Sequence, residues 1–356
     1  MTTPQPTWVQ NHRNAAWTSL AADGAALEFH RSLPGYAPTP LIDLPELAAE
    51  LGIARVFAKD ESSRLGLPAF KALGASWAVA RALSTAPLGS AVVTATDGNH
   101  GRAVARFARL AGRTARIYIP EGGVHPSAVQ AILDEDAIVV MVQGSYDDAV
   151  AAAAESAERQ GDVLVQDTSW DGYEQVPTWI VEGYDTLFTE VDDQLAALGI
   201  ASPHLLMVPT GVGSLLQAAV SHYRTPQRAA HTAVVAVEPT VAACITASLL
   251  AGEPVTIGTG HTIMSGLNCG TPSTMAWPTI HAGLDASVAI TDDAARAAAR
   301  RLRELGVHAG PCGAASLGGA QETLNDPTRR AALHLDHNTV VVLTITEGSA
   351  ANPLRD

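Results

Sequence analysis

The chain has 356 residues, of which 47% are hydrophobic and 16% are charged, so it can bury a large core and is neither disordered nor fibrous. At roughly 150 residues per domain, this length predicts about two domains. The net charge of −14 disfavours nucleic acid and anionic membranes as partners, and no apolar run reaches the roughly 18 residues that a membrane span needs.

The N-terminal residues 1–14 are polar and contain no apolar signal core, and the three cysteines are far apart and form no CxxC pair. The sequence therefore predicts a cytoplasmic protein. It predicts neither a disulfide framework nor a metal site.

The N-terminal region up to residue 86 contains proline-rich turns, a predicted strand over 55–58 and a predicted helix over 71–83, and it could join either of two sheets. Short apolar runs then alternate with helical patterns, which is typical of one parallel sheet. The apolar runs cover 91–95, 115–119, 137–142 and 163–165, and the helical patterns lie near 101–111, 126–133 and 145–160.

A second set of apolar runs follows residue 198 and predicts a second sheet. These runs cover 205–208, 232–237 and 340–344, and they interleave with helical patterns near 213–223, 291–305 and 312–323. The alternation predicts an α/β protein with domain boundaries near residues 87 and 185.

Only two of the 22 basic residues are lysines, Lys59 and Lys71, and the others are arginines. An amine can lose its proton and attack a carbonyl, whereas a guanidinium cannot, so Schiff-base chemistry has two side-chain candidates. Lys71 begins a predicted helix, where the positive helix end disfavours its ammonium form. Lys59 has Asp60 and Glu61 beside it, which predicts a solvated charged edge. We therefore expect Lys71 to be the nucleophilic amine.

Polar side chains follow two predicted strands of the first sheet. The turn TATDGNHGR places Asp97, Asn99 and His100 after one strand, and Asp167 follows another. Asp and Asn also cap helices, so a structural role explains part of this pattern. However, ligands bind at the carboxyl ends of parallel strands, which favours a functional cluster.

The segment 205–220 runs from a predicted strand through the turn PTGVGSL into a helix, and a helix N-terminus of this kind suits a phosphate. The match to a dinucleotide fingerprint is partial. Gly211 and Gly213 supply GxG, Leu216 replaces the third glycine, and Glu238 could serve as the ribose-binding acid. The alternative to a phosphate-binding role is that this segment forms a tight strand-to-helix turn that binds no ligand. After the last predicted strand, TITEG places Thr344 or Thr346 at another strand end.

The segments PAFKALGAS, TATDGNHGR, PTGVGSL and TITEG, in this order, resemble the fold-type II pyridoxal-phosphate enzymes, the superfamily of tryptophan synthase β and threonine dehydratase. The resemblance covers nearly the whole chain. The longer segments QDTSWDGYEQVPTWI and TIMSGLNCGTPSTMAWP are similar, more narrowly, to the diaminopropionate ammonia-lyases, which convert 2,3-diaminopropionate to pyruvate and ammonia.

The resemblance implies two domains, each with a mainly parallel sheet flanked by helices, and a cofactor in the cleft between them. It implies a large cofactor-binding domain from residues 1–86 and 185–356 and a small mobile domain from residues 87–184. It also implies a cytoplasmic homodimer.

The resemblance implies pyridoxal 5'-phosphate as the cofactor and assigns roles to matching positions. Lys71 would carry the cofactor as a Schiff base, and Asn99 would contact the ring oxygen. Thr346 or Thr344 would meet the pyridine nitrogen. The phosphate would lie against Gly211, Val212, Gly213, Ser214 and Leu215. Residues facing the substrate would be Thr96, Asp97, His100 and Asp167, with Asp97 and Asp167 also catalytic.

Serine and threonine dehydratases usually show Ser where this sequence has Asp97, and a carboxylate holds an ammonium group better than a hydroxyl does. The implied reaction is therefore the α,β-elimination of 2,3-diaminopropionate to pyruvate and ammonia. The alternatives are a dehydratase of serine, threonine or hydroxyaspartate with the same cofactor, a nicotinamide-dependent oxidoreductase, and a cofactor-binding protein without turnover.

Overall fold

A computed structural model describes residues 6–96, 98–122, 124–226, 228 and 232–353. These residues form two compact units, each built on its own sheet flanked by helices, as predicted for an α/β protein. In the described residues no helix is both long and apolar enough to cross a membrane.

The first unit comprises the described residues of 1–23, 38–63 and 187–356. Its seven-stranded sheet has the order β1-β10-β9-β8-β11-β3-β2, in which only the outer strands β1 and β2 run antiparallel to their neighbours. The strands are β1 (Trp8–Gln10), β2 (Leu41–Asp43), β3 (Arg55–Asp60), β8 (Leu205–Pro209), β9 (Ala233–Pro239), β10 (Ala286–Ile290) and β11 (Val340–Ile345).

Helices pack on this sheet and bury a core of mostly aliphatic side chains, which include Met207, Val237, Leu302 and Leu343. The helices are α2 (Pro45–Leu51), α8 (Ser214–Tyr223), α9 (Cys244–Ala251), α10 (Trp277–Gly283), α11 (Asp292–Glu304), α12 (Pro311–Leu324) and α13 (Pro327–Ala332). The inner strands are almost entirely apolar because a parallel sheet is covered on both faces.

The second unit comprises the described residues of 24–37 and 64–186. Its four-stranded sheet is fully parallel, with the order β6-β5-β4-β7. The strands are β4 (Val92–Ala95), β5 (Ala115–Pro120), β6 (Ile138–Val142) and β7 (Val163–Leu164), and the helices are α1 (Ala25–Ser32), α3 (Lys71–Leu83), α4 (Asn99–Leu110), α5 (Pro126–Leu133) and α6 (Tyr146–Gln160). Helix α7 (Gln175–Ala197) contributes residues to both units.

The strand β6 lies at the edge of the second sheet and has the uncharged sequence IVVMV. Two of its side chains, Ile138 and Met141, are each 50% exposed.

The elements predicted from the alternating pattern are confirmed to within a few residues, and α3 and α5 have the predicted bounds. Residues 24–37 and 64–86 pack in the second unit, whereas the sequence prediction placed them in the larger domain. In this unit α3 crosses α7 at Gly183, where a Cβ atom would lie 2.7 Å from the carbonyl oxygen of Leu73. The division into a cofactor-binding and a mobile domain remains a prediction.

Candidate active site

Lys71 is the first residue of α3, and its side chain is 24% exposed. The first turn of this helix contains no acidic residue, so the positive helix end would destabilise the ammonium form of Lys71. Asp167 offsets this effect, because its Oδ2 atom accepts a hydrogen bond of 2.6 Å from Lys71 Nζ. The structure thus brings together two predicted site residues that are far apart in the sequence.

Asp167 lies shortly after β7 and is buried. Burial by itself would raise the pKa of Asp167, but the charges of His100 and Lys71 and the hydrogen bond from Lys71 outweigh it and lower this pKa to about 2. His100 Nδ1 lies 3.7 Å from Asp167 Oδ2. Asp167 is therefore a carboxylate, not a carboxylic acid, at neutral pH.

Aromatic residues flank the Lys71 amine. The Phe70 ring centroid lies 5.4 Å from Lys71 Nζ and 4.8 Å from the ring of Tyr184, which lies on α7. Tyr184 is fully buried, and burial raises the pKa of its phenol although the nearby Lys71 charge opposes the shift. The phenol is therefore uncharged at neutral pH. No sequence signal distinguished Tyr184, which reads as an ordinary core position of a helix.

The turn between β4 and α4 positions three of the predicted residues, while Asp97 lies outside the described residues. Thr96 is fully buried, and its Oγ1 atom accepts hydrogen bonds of 2.9 Å from the backbone amides of Gly98 and Gly101. Asn99 is the first residue of α4. His100 is 2% exposed, and its Nε2 atom lies 2.9 Å from the carbonyl oxygen of Val165. Thr96 and His100 thus have a structural role, since their hydrogen bonds stabilise the turn.

The predicted phosphate loop lies in the first unit, between β8 and α8. After β8 come Gly211 and Val212. Gly213 is the N-cap of α8 and makes no side-chain capping hydrogen bond. The helix then begins with Ser214 and Leu215. Gly213 has φ 103°, and a Cβ atom there would lie 2.7 Å from Ile280 Cδ1, so only glycine fits. The first turn contains no acidic residue, which leaves its amides suited to an anion.

Two buried hydroxyls lie at the end of β11. Thr344 is fully buried and Thr346 is 3% exposed, and neither Oγ1 atom has a hydrogen-bond partner among the described residues. A buried hydroxyl without a partner is costly, so each suits a ligand atom that can complete the hydrogen bond. The structure is therefore compatible with either Thr344 or Thr346 as the residue that meets the pyridine nitrogen.

The predicted solvated edge at Lys59 is wrong. Lys59 is fully buried, because β3 lies inside the sheet between β11 and β2. Its Nζ atom donates hydrogen bonds to Glu190 Oε2 at 2.6 Å, the carbonyl oxygen of Thr39 at 2.8 Å and Gln194 Oε1 at 3.0 Å. All three protons of the ammonium are thereby used, so Lys59 has a structural role that a planar guanidinium could not fill.

Glu238 is fully buried near the end of β9, its carboxylate caps the start of α9, and it does not have the geometry of a ribose-binding acid. Its carboxylate accepts hydrogen bonds from the backbone amides of Ile245 and Thr246 and from the hydroxyls of Thr246 and Ser287. Burial nevertheless raises the pKa of Glu238. Both oxygens are occupied by this capping network, which removes the main support for a nicotinamide site.

In the described residues there is no group of three or more His, Cys, Asp or Glu side chains that could hold a metal ion. Residues 32–347 match the family model described as pyridoxal-phosphate dependent enzyme. A diaminopropionate ammonia-lyase of Salmonella typhimurium is 36% identical over an alignment of 362 positions, and this alignment covers 91% of this chain and 88% of the relative.

Two further comparisons separate the candidate reactions. The crystal structure of diaminopropionate ammonia-lyase from Escherichia coli, in complex with an aminoacrylate-PLP azomethine reaction intermediate, has a TM-score of 0.88 and 32% identity and covers 96% of this chain and 94% of that chain. An L-threonine dehydratase of Mycobacterium leprae is 30% identical and covers 89% of this chain but 71% of the relative. The chain is thus more similar to these ammonia-lyases than to this dehydratase.

Proposed function

The chain belongs to the pyridoxal-phosphate-dependent enzymes, and we propose that it catalyses the reaction of diaminopropionate ammonia-lyases, the α,β-elimination of 2,3-diaminopropionate to pyruvate and ammonia. Its cofactor is pyridoxal phosphate. The observation that carries the assignment within the site is the ion pair of 2.6 Å between Lys71 and Asp167. It would supply an amine for the cofactor and a group that is ionised at neutral pH for an ammonium-bearing substrate.

The described residues fit this cofactor. The Lys71 amine would attach the cofactor covalently, Asn99 would contact its ring oxygen, and the amides of 211–215 at the N-terminus of α8 would bind its phosphate. Thr346 or Thr344 would hold the pyridine nitrogen with an otherwise unpartnered hydroxyl. When bound, pyridoxal phosphate supplies a conjugated ring that takes up the electron pair left by the α-proton.

The protein's own residues handle the protons. Lys71, once its amine is released by the substrate amine, is placed to take the α-proton. The β-nitrogen must leave protonated, because an amide anion is too basic to depart. With a pKa of about 2, Asp167 cannot donate that proton at neutral pH, but its negative charge stabilises an ammonium group. Asp167 and Asp97 are therefore proposed to hold the substrate's β-ammonium.

The first test is a visible-range spectrum of the purified protein, which should show the bound cofactor. Pyruvate or keto-acid release should then be measured with both enantiomers of diaminopropionate and with serine, threonine and hydroxyaspartate. We expect the highest kcat/KM for diaminopropionate. A higher value for serine, threonine or hydroxyaspartate would support the dehydratase alternative. A cofactor-loaded protein without turnover would support a storage role.

Asp97→Asn tests the proposed base for the second enantiomer. With the substrate carboxylate held the same way, the α-hydrogen of one enantiomer faces the Lys71 amine and that of the other faces away from it, where the sequence offers Asp97. We expect turnover of the D-enantiomer to fall by roughly a hundredfold or more and that of the L-enantiomer to fall less. Steady-state kinetics on both pure enantiomers measures this difference.

The control for this prediction is Asp171→Asn, the same change at an exposed carboxylate of the Asp167 segment, which should leave both rates unchanged. Equal losses for the two enantiomers in Asp97→Asn would make Asp97 an ammonium anchor and not a base. No loss for either would leave it with a helix-capping role alone.

Gly213→Glu and Gly213→Gln together test the phosphate loop. Both side chains meet Ile280 and strain the backbone at φ 103°, so both should weaken cofactor binding. Glu adds a negative charge beside the phosphate, so its Kd for pyridoxal phosphate should exceed that of Gln by at least about tenfold. Fluorescence titration of the cofactor-free protein measures both constants. Equal constants for the two variants would place the phosphate elsewhere.

We also propose that the active form is a cytoplasmic homodimer, which is supported by the resemblance of the chain to the fold-type II enzymes. Light scattering coupled to size-exclusion chromatography would establish the mass of the cofactor-loaded form.

A further inference from the structure

Gln166, which directly precedes Asp167, has a fully buried side chain. Its Oε1 atom accepts hydrogen bonds of 2.9 Å from Thr94 Oγ1 and from the backbone amide of Ala95. Thr94 and Ala95 are the last residues of β4. One end of the Gln166 amide therefore fixes the strand that leads into the turn TATDGNHGR.

The other end of the amide faces the site. Gln166 Nε2 donates hydrogen bonds to Tyr146 Oη at 2.9 Å and to Asp167 Oδ1 at 3.4 Å. The two acceptor positions and two donor positions of the amide are thus all used. The Gln166 backbone amide also donates a hydrogen bond of 2.9 Å to Tyr173 Oη. The orientation of Gln166 is therefore determined on both sides.

The contacts of Asp167 divide between its two oxygens. Oδ1 accepts from Gln166, while Oδ2 accepts from Lys71 at 2.6 Å and lies 3.7 Å from His100 Nδ1. A carboxylate held at one oxygen cannot rotate freely about its terminal torsion, so the other oxygen keeps a fixed direction. That direction is toward the Lys71 amine.

We propose that Gln166 is a positioning residue of the proposed lyase site, whose amide holds Asp167 so that its second oxygen meets the Lys71 amine. This inference rests on the proposed function for its catalytic meaning, but its geometry is independent of the substrate. It also explains why an amide occupies this position. A glutamate would place a carboxylate oxygen about where Nε2 now donates to Asp167, and two carboxylates would then repel each other.

The substitutions Gln166→Glu and Gln166→Met separate this role from a merely structural one, because their effects on Lys71 should have opposite signs. The ionised Glu adds negative charge near Lys71 and stabilises its ammonium form. Met removes the hydrogen bond to Asp167 without adding charge, so Asp167 is held less well and the ammonium form is stabilised less. Tyr184 and the Phe70 ring also face this amine, His100 lies beside Asp167, and all three are unchanged in both variants.

The experiment is trace labelling of the full-length, cofactor-free protein with acetic anhydride across the alkaline pH range, read by peptide mass spectrometry. The chain has only two lysines, and the buried Lys59 serves as an internal reference for folding. Gln160→Glu is the matched control, since Gln160 bonds Ser156 within α6 and receives the same charge change.

In Gln166→Glu, we expect the titration midpoint of Lys71 to rise by about one unit, which lowers its labelling below the midpoint about tenfold. In Gln166→Met, labelling at the same pH should rise about threefold. The proposal would be overturned if Lys71 in both variants were labelled with the same pH dependence as in the wild type while Lys59 stayed protected. It would also be overturned if the titration midpoint of Lys71 shifted in the same direction in both variants. If only one variant folds, the direction in which its Lys71 titration midpoint shifts, relative to that of Gln160→Glu, decides whether Gln166 positions Asp167.

A kinetic arm links the inference to the reaction. We expect both Gln166 variants to lower kcat/KM for diaminopropionate about tenfold or more, because Asp167, which is proposed to hold the substrate's β-ammonium beside Lys71, is then misplaced. If the wild-type protein does not turn over diaminopropionate, the proposed function fails, whereas the labelling result still decides the role of Gln166.

Discussion

Lys71→Ala is expected to lower kcat/KM for diaminopropionate by at least about 10³-fold and to abolish covalent attachment of the cofactor. The change removes the amine that is proposed both to bind the cofactor and to take the α-proton, and loss of a general base alone costs about 10²- to 10⁴-fold. Asp167 would also lose the partner that lies 2.6 Å from it. Borohydride reduction followed by peptide mapping should find the cofactor on Lys71 in the wild-type protein and on no residue in the variant.

The chain supplies a control for this result in its other lysine. Lys59→Met removes the cation that pairs with the buried carboxylate of Glu190 and should destabilise the protein by about 3–5 kcal/mol. The folded fraction should nevertheless carry the reduced cofactor on Lys71. Label on Lys59 in the wild-type protein, or near-normal turnover by Lys71→Ala, would contradict the assignment.

Asp167→Asn is expected to lower kcat by about 10²-fold or more, because a hydrogen-bonded charge on the leaving ammonium group is lost. The amide keeps the size of the side chain but carries no charge, so it neither holds the substrate's β-ammonium nor compensates Lys71 at the positive end of α3. In the cofactor-free protein, Lys71 should therefore acylate faster at neutral pH in this variant than in the wild type, which is opposite to the effect expected for Gln166→Glu. Unchanged kcat and unchanged acylation would exclude the ion pair from the mechanism.

The same variant should change the acid stability of the protein. The pKa of Asp167 is lowered to about 2 in the folded state, against about 3.9 in an unfolded chain. The wild type therefore gains about 2 kcal/mol above about pH 4 and loses this gain as the pH falls from about 4 to about 2. Asp167→Asn removes the gain at all pH values. Denaturant unfolding at pH 7 and at pH 2 should show a difference between the two proteins that shrinks at the lower pH.

The sequence predicted those parts of the molecule that depend on local pattern or on a general rule of sheets. The alternation of apolar runs and helical patterns located the strands, and polar residues after β4 and β7 converge because these strands are parallel neighbours. That rule made Asp167 a candidate and the small number of lysines made Lys71 one, and the structure places these two side chains 2.6 Å apart.

The sequence could not predict contacts whose partners are distant in the chain. Lys59 looked exposed because its neighbours Asp60 and Glu61 are acidic, but its ionic partner is Glu190 on α7. Gln166 and Tyr184 gave no signal, since a glutamine at a strand end and a tyrosine in a helix are common. Their roles depend on which atoms they contact, and only the folded chain establishes that.

The edge strand β6 has a consequence for the handling of this protein. Its five residues are uncharged, its outer backbone groups can pair with another strand, and Ile138 and Met141 are each 50% exposed. Exposed apolar edges of this kind act as templates for intermolecular β-pairing. Aggregation at high concentration is therefore expected to begin at this strand despite the net charge of −14, because the strand itself carries no charge and acidic residues (134–136) flank it on one side only.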